Sequence, residues 1–195
     1  LGLMHYNGDG VSVSDTEAMK WFRVSAEQGN APAQRCLGYL YDIGAGVPVN
    51  HAEAVRWYRK AVEQRDAQSQ NYLGLLYANG RGVPENNAEA MKLFRKAADQ
   101  GLAKAQHNLG VIYRDGRGVP KSYTEAMKWI RKAANQGLAQ SQNYLGGIYF
   151  DGKGVPKNDA EALKWLRKAA EQGYAPAQGY LAVMYFTGVG VPGDH

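Results

Sequence analysis

The segment Gly80-Arg81-Gly82-Val83-Pro84 sets two glycines one residue apart ahead of an amphipathic stretch. Such a loop can cradle a phosphate with its backbone N–H groups. A nucleotide site needs one loop of this kind, following a strand and opening a helix directly, with a lysine or an acidic ribose partner at a set distance. Here the same five-residue turn returns at 8–12, 44–48, 80–84, 116–120, 152–156 and 188–192, always 36 residues on, and no strand is predicted before any copy. Six copies of a turn are architecture, not phosphate chemistry.

Other reactive residue types fare no better. His5, His51, His107 and His195 show no i,i+4 pairing and no cysteine cluster beside them, so no metal site is assigned. Cys36 is the single cysteine, which rules out an intrachain disulfide. It stands where other repeats carry Tyr or Asn, and reads as a small half-buried residue. No Ser-x-x-Lys motif occurs, and no acid, base and nucleophile lie together outside the repeating pattern. No catalytic residue and no cofactor are expected.

The repeat therefore organises the chain. In register from Leu1 it runs 1–36, 37–72, 73–108, 109–144 and 145–180, with a partial sixth copy over 181–195 and no insertion or deletion. Each copy alternates two helical patterns separated by glycine, the signature of stacked helical hairpins. The first helix is predicted over Ala103–Asp115, where Ala103, Gln106, Leu109, Gly110 and Tyr113 fall at three- and four-residue spacings. Gly116 is expected to end it in the left-handed conformation. The second is predicted over 89–100 with Asn87 as its cap, and Ala90, Leu93, Phe94, Ala97 and Ala98 form its apolar stripe. Trp21, Trp57, Trp129 and Trp165 are the equivalents of Leu93. Gly101 closes this helix, and Arg65 in the corresponding place implies a looser turn. The whole predicts eleven helices and no strand, in one repeat domain spanning 1–195 that is a fragment of a longer array.

Composition fits this reading: 195 residues, 45% hydrophobic, with no apolar run near the ~20 residues that span a membrane. Membrane insertion is not expected. The chain opens partway through a repeat without an initiator methionine, so the bacterial cytoplasm and an exported location both stay open.

Leu-Gly-x-x-Tyr-x-x-Gly-x-Gly-Val-Pro, then Glu-Ala-x-Lys-Trp-x-Arg-Lys-Ala-Ala-x-Gln-Gly, then Ala-x-Ala-Gln, carried in full by 145–178, resembles the Sel-one-like repeat (SLR), a relative of the tetratricopeptide repeat. The resemblance covers essentially the whole chain. It implies an all-α fold, a right-handed α/α superhelix of 36-residue helix-turn-helix repeats, and a role as a protein-binding scaffold or adaptor. It also implies that the first helices line the concave side. Cysteine-rich secreted members clip each repeat with a disulfide, and those cysteines are missing here.

Positions that recur are explained by stacking alone, so binding is sought where copies differ. The variable positions of the first helices share one face. Among them Arg35, Tyr39, Asp42, Asn71, His107, Arg114, Asn143, Phe150 and Phe186 are candidate partner-binding residues, and Tyr72, Tyr144 and Tyr180 flank them in a column with Cys36 and Asn108. Aromatic and arginine side chains concentrate binding energy at interfaces.

The balance of 23 basic against 18 acidic residues gives +5. Most of the cations recur on the second helices, as in Lys92, Arg95 and Lys96, where Glu89 sits three residues ahead; that is a solvated outer face. No RNA-binding aromatic signature or helix-turn-helix pattern accompanies them, so no specific nucleic-acid recognition is expected. A monomer that holds a protein or peptide ligand in its groove is the favoured reading. The alternative, prompted by the resemblance, is an exported β-lactamase-like or penicillin-binding hydrolase.

Overall fold

The computed structural model describes residues 14–190. Ten helices of thirteen residues follow one another: α1 (Asp15–Glu27), α2 (Ala31–Ile43), α3 (His51–Glu63), α4 (Ala67–Asn79), α5 (Asn87–Asp99), α6 (Ala103–Asp115), α7 (Tyr123–Asn135), α8 (Ala139–Asp151), α9 (Asp159–Glu171) and α10 (Ala175–Thr187). No strand occurs among the described residues. The eleventh expected helix, a first helix near the start, lies outside them.

Local chemistry fixes both helix types. The odd-numbered helices begin at Ser14, Asn50, Asn86, Ser122 or Asn158, whose side-chain oxygen accepts the N–H of the glutamate three residues on. That bond satisfies one of the donors a helix start leaves without a partner, and the glutamate meets the positive end of the dipole. The cap of α5 is thus Asn86, not the expected Asn87, because only the earlier residue has the extended backbone a cap requires. The even-numbered helices end at glycines in the left-handed conformation, as at Gly44 with φ 76°.

The second glycine of each turn serves packing as well as conformation. At Gly46, with φ 73°, an added Cβ would lie 2.7 Å from the backbone of Asp15. The turn is pressed against the start of α1, and any side chain would push it away. Arg65 departs from expectation. It adopts φ 63° and keeps the hydrogen bonds Arg65 N–H to Val62 O and Asp66 N–H to Ala61 O, so the turn after α3 is as tight as its glycine-bearing sisters.

Two compact units make up the chain, Leu1–Gln100 and Gly101–His195. Within the first, Ala54, Val55, Tyr58, Leu73, Leu76 and Leu93 form one core cluster, and Trp57 joins another with Leu37 and Leu40. In the second, Ile130, Leu145, Ile148 and Trp165 form a cluster, followed by Leu163, Leu166 and Met184. Trp57 is 3% exposed and Trp129 4%, whereas Trp21 is 43% exposed. Trp57 packs on the helix preceding its own; the preceding residues that would correspond for Trp21 lie outside the described ones.

Helices of a hairpin touch closely because the even-numbered one carries glycine at the crossing. A Cβ on Gly38 would lie 2.8 Å from the Tyr58 ring, and one on Gly146 would lie 2.6 Å from Leu166 Cγ. Polar side chains close each hairpin and tie it to its neighbour. Gln64 Nε2 donates to Gln34 Oε1 (2.9 Å), Gln100 to Gln70, Gln136 to Gln106 and Gln172 to Gln142 (each 2.8 Å). The acceptor glutamines are themselves buried, and Gln34 and Gln142 donate in turn to the carbonyls of Ala26 and Ala134. Arginines of the odd-numbered helices reach the next even-numbered helix, as where Arg59 Nη2 donates to Tyr77 Oη at 2.7 Å. The same bond joins Arg23 to Tyr41, Arg131 to Tyr149 and Arg167 to Tyr185.

Candidate functional site

The variable face of the even-numbered helices separates into residues that reach outward and residues that lock repeats together. In the first unit Arg35 Nη1 donates to Asp66 Oδ2 at 2.7 Å, which ties α2 to the cap of α4. Arg35 also borders an open depression of about 380 Å³ with Trp21, Val24 and Cys36. Burial pushes the Cys36 thiol pKa up, so it carries little thiolate at neutral pH. Tyr72 packs between two rings, its centroid 5.9 Å from Tyr39 and 5.4 Å from Tyr58. Burial raises the Tyr58 hydroxyl pKa far above its ordinary value, and Asp42 reinforces the shift. Asp42 Oδ1 meets His51 Nδ1 at 2.9 Å. Arg35, Tyr39, Asp42 and Tyr72 are half-buried.

Two candidates face inward and are corrected here. Asn71 is 3% exposed and His107 5% exposed. Both are enclosed, His107 between α6 and α8, so neither offers its side chain to a partner. His107 Nδ1 shares a hydrogen bond with Ser141 Oγ at 2.9 Å, and its ring stands edge-on to Tyr144 at 6.2 Å. Burial lowers its pKa to about 4, helped by the Arg114 charge. A Ser–His pair is a hydrolytic motif elsewhere, but Ser141 is fully buried and the imidazole is enclosed, so no substrate reaches this one.

The second unit gathers the remaining candidates. A pocket of about 290 Å³ is lined by Arg114 from α6, Asn143, Tyr144, Gly147, Ile148 and Asp151 from α8, Tyr180 from α10, Tyr123 from the start of α7, and Lys153 from a turn. Arg114 forms a bidentate pair with Asp115, Nε to Oδ1 at 2.5 Å and Nη2 to Oδ2 at 2.9 Å. That pair raises the guanidinium pKa and lowers the carboxyl's. Arg114 also lies 5.1 Å from the centre of the Tyr144 ring. Lys153 Nζ donates to Asp151 at 2.8 Å. Phe150 lies outside the pocket but meets Tyr180 edge-to-face, 6.2 Å between centres. Phe186 is 92% exposed and lines nothing.

Sequence reasoning thus finds four lining residues, Arg114, Asn143, Tyr144 and Tyr180, and misses Tyr123, Asp151 and Lys153. These three sit in the turn and at helix ends, off the face that helical spacing defines. Among the described residues no group of His, Cys, Asp and Glu is arranged to hold a metal ion, and no helix is long and apolar enough to cross a membrane.

Stacked hairpins of paired thirteen-residue helices, locked by glycine crossings and glutamine ties, define a helical repeat protein of the solenoid class. The Sel1 repeat model matches residues 1–30, 31–66, 67–102, 103–138, 139–174 and 175–195, and the chain belongs to the Sel1 repeat family. The family boundaries open each repeat at an even-numbered helix, six residues before the 36-residue register counted from Leu1. Among solved structures it is similar to c5321, a protective antigen of uropathogenic Escherichia coli with an SLR fold, at 44% identity and a TM-score of 0.89 over 100% of this chain. The chain spans 42% of that protein's length. A Sel1 repeat protein from Oxalobacter formigenes matches at 34% identity and a TM-score of 0.91, over 97% of this chain and 77% of the other. Helicobacter pylori cysteine rich protein B matches at 27% identity and a TM-score of 0.53, over 66% and 92%. No curated protein matches.

Proposed function

We propose that this chain is a non-enzymatic scaffold that holds a protein or peptide partner, one copy at a time, on the face of its even-numbered helices. The observation that carries the reading is the pocket in the second unit, where two side chains from variable positions, Arg114 and Asn143, and two tyrosines of the flanking column, Tyr144 and Tyr180, line one concavity with aromatic and arginine character. Tyr144 also packs against the core of its unit, whereas Tyr180 stays exposed. The odd-numbered helices present a different surface, in which Lys92, Lys128 and Lys164 each pair with the glutamate three residues earlier and stay largely solvated.

Affinity capture with the intact chain tests the assignment. Changing Arg114, Tyr123 and Tyr180, which line the pocket, to Ala is expected to release the captured partner while circular dichroism and the melting temperature change little. Changing Lys92, Arg95 and Lys96 to Gln is expected to leave capture intact. If the second set abolishes capture and the first does not, the interface is the opposite, basic surface and the proposal is wrong.

A further inference from the structure

Adjacent glycines in α8 have opposite steric surroundings. Gly146 is obligatory for packing, since a Cβ there would sit 2.6 Å from Leu166 Cγ. At Gly147 the nearest atom to an added Cβ is Tyr180 Oη at 3.6 Å, an ordinary contact. Its backbone is helical, so no unusual φ demands glycine either. Glycine within a helix is destabilising relative to alanine, and the equivalent positions of the other repeats carry Tyr39, Leu75, Val111 and Val183. What glycine does at 147 is leave room: it lies in the wall of the pocket between Tyr144 and Tyr180.

A second departure opens the same place. The column of Arg35 and His107 normally bonds to the next repeat, through Asp66 and Ser141. Asn143 occupies that column, but the residue corresponding to Ser141 is Ala177, and Asn143 Oδ1 is buried without a hydrogen-bond partner. Next along, Gly179 has nothing within 4 Å of where its Cβ would be. The amide borders the pocket and turns about a soft terminal torsion, so an N–H brought by a ligand can satisfy it.

The walls and rim state what fits. Three tyrosine rings favour a planar aromatic group in edge or offset contact. Arg114, Lys153 and Asp151 line the pocket; beside it Arg117 Nε lies 3.6 Å from Asp115, the partner of Arg114, and Lys121 Nζ lies 4.9 Å from the ring centre of Tyr123, so four cations stand against two carboxylates. The excess favours an acidic segment. We infer that this pocket receives one aromatic side chain of an acidic peptide segment, with Gly147 setting its depth. The inference rests on the scaffold reading and names the class of partner for that site.

The test uses short acetylated peptides with the intact chain, followed by amide chemical shifts in ¹H–¹⁵N spectra. Asp-Glu-Phe-Glu-Asp is expected to shift the amides of residues 144, 147 and 180 in a saturable way. Replacing its Phe by Ala is expected to weaken binding about tenfold or more, and Lys-Lys-Phe-Lys-Lys to bind more weakly still. Gly147→Leu, which installs the residue found at position 75, is expected to abolish the Phe-dependent part, and Gly147→Ala to reduce it. Equal binding of the Phe and Ala peptides, tighter binding of the basic peptide, or unchanged binding by a folded Gly147→Leu protein overturns the inference. If the titration fails while partner capture survives Gly147→Leu, the scaffold reading stands and only the pocket assignment falls.

Discussion

His107 Nδ1 lies 2.9 Å from Ser141 Oγ, a bond between two enclosed side chains on consecutive even-numbered helices of the second unit. The imidazole is held neutral there by burial and by the charge of Arg114, with Tyr144 edge-on to the ring.

Stability is therefore expected to depend on this proton. The folded-state pKa, about 4, is below the ordinary 6.5. Between those values the unfolded chain binds more protons than the folded one, so stability falls as pH drops through that window and is flat above it. The full loss is on the order of 3 kcal/mol. Urea midpoints at pH 4.5 and 7.5 measure it. His107→Asn, the residue at positions 71 and 143, is expected to flatten this part of the profile; an unaltered slope would place the titration elsewhere.

Trp129 is enclosed, with Lys132 Nζ 4.3 Å from its ring centre, while Trp21 at the same repeat position is half exposed. Trp129→Ala is expected to cost about 3–5 kcal/mol and Trp21→Ala about 1 kcal/mol or less. Chemical denaturation of the two variants decides, and a loss below about 1 kcal/mol at Trp129 would contradict its packing.

The neighbouring glycines of α8 are expected to respond with opposite signs. Gly146→Ala drives a Cβ into Leu166 and is expected to destabilise by about 1–3 kcal/mol. Gly147→Ala meets no close atom and is expected to stabilise by about 0.5–1 kcal/mol. Melting temperatures of the pair, taken side by side, give the answer.

Arg65 holds φ 63° where its sister repeats use glycine. Arg65→Gly removes that left-handed strain and is expected to raise stability by about 1 kcal/mol, read as a higher urea midpoint. A lower midpoint would show that the arginine side chain supplies a compensating contact.

Period, helix type and much of the boundary placement were legible in the residues. α6 begins and ends where its spacing of Ala103, Leu109 and Tyr113 puts it, because glycine after the last turn leaves no other choice. The direction of polar side chains was less legible. Asn71 and His107 sit in the same column as Arg35, yet turn inward, since burial depends on what the next repeat offers: Ser141 receives His107, and Ala177 offers Asn143 nothing. One copy's pattern does not contain its neighbour's chemistry. Gly146 recurs as Gly38, Gly74 and Gly110 while Gly147 does not, so the copies already set the two apart; what the sequence does not contain is the reason, the 2.6 Å from an added Cβ to Leu166.

The side-chain ties within and between hairpins have a further consequence. Their spans are 18 residues for Arg59 to Tyr77, 30 for the glutamine pairs, 31 for Arg35 to Asp66, 34 for His107 to Ser141 and 35 for Gln64 to the Gly29 carbonyl. None reaches the 36-residue period of the sequence. A duplication or excision in whole periods consequently rejoins like donors to like acceptors for the ties that recur, the glutamine pairs and the Arg–Tyr bonds. The ties found in one copy alone, Arg35 to Asp66 and His107 to Ser141, are the ones a splice beside them would break.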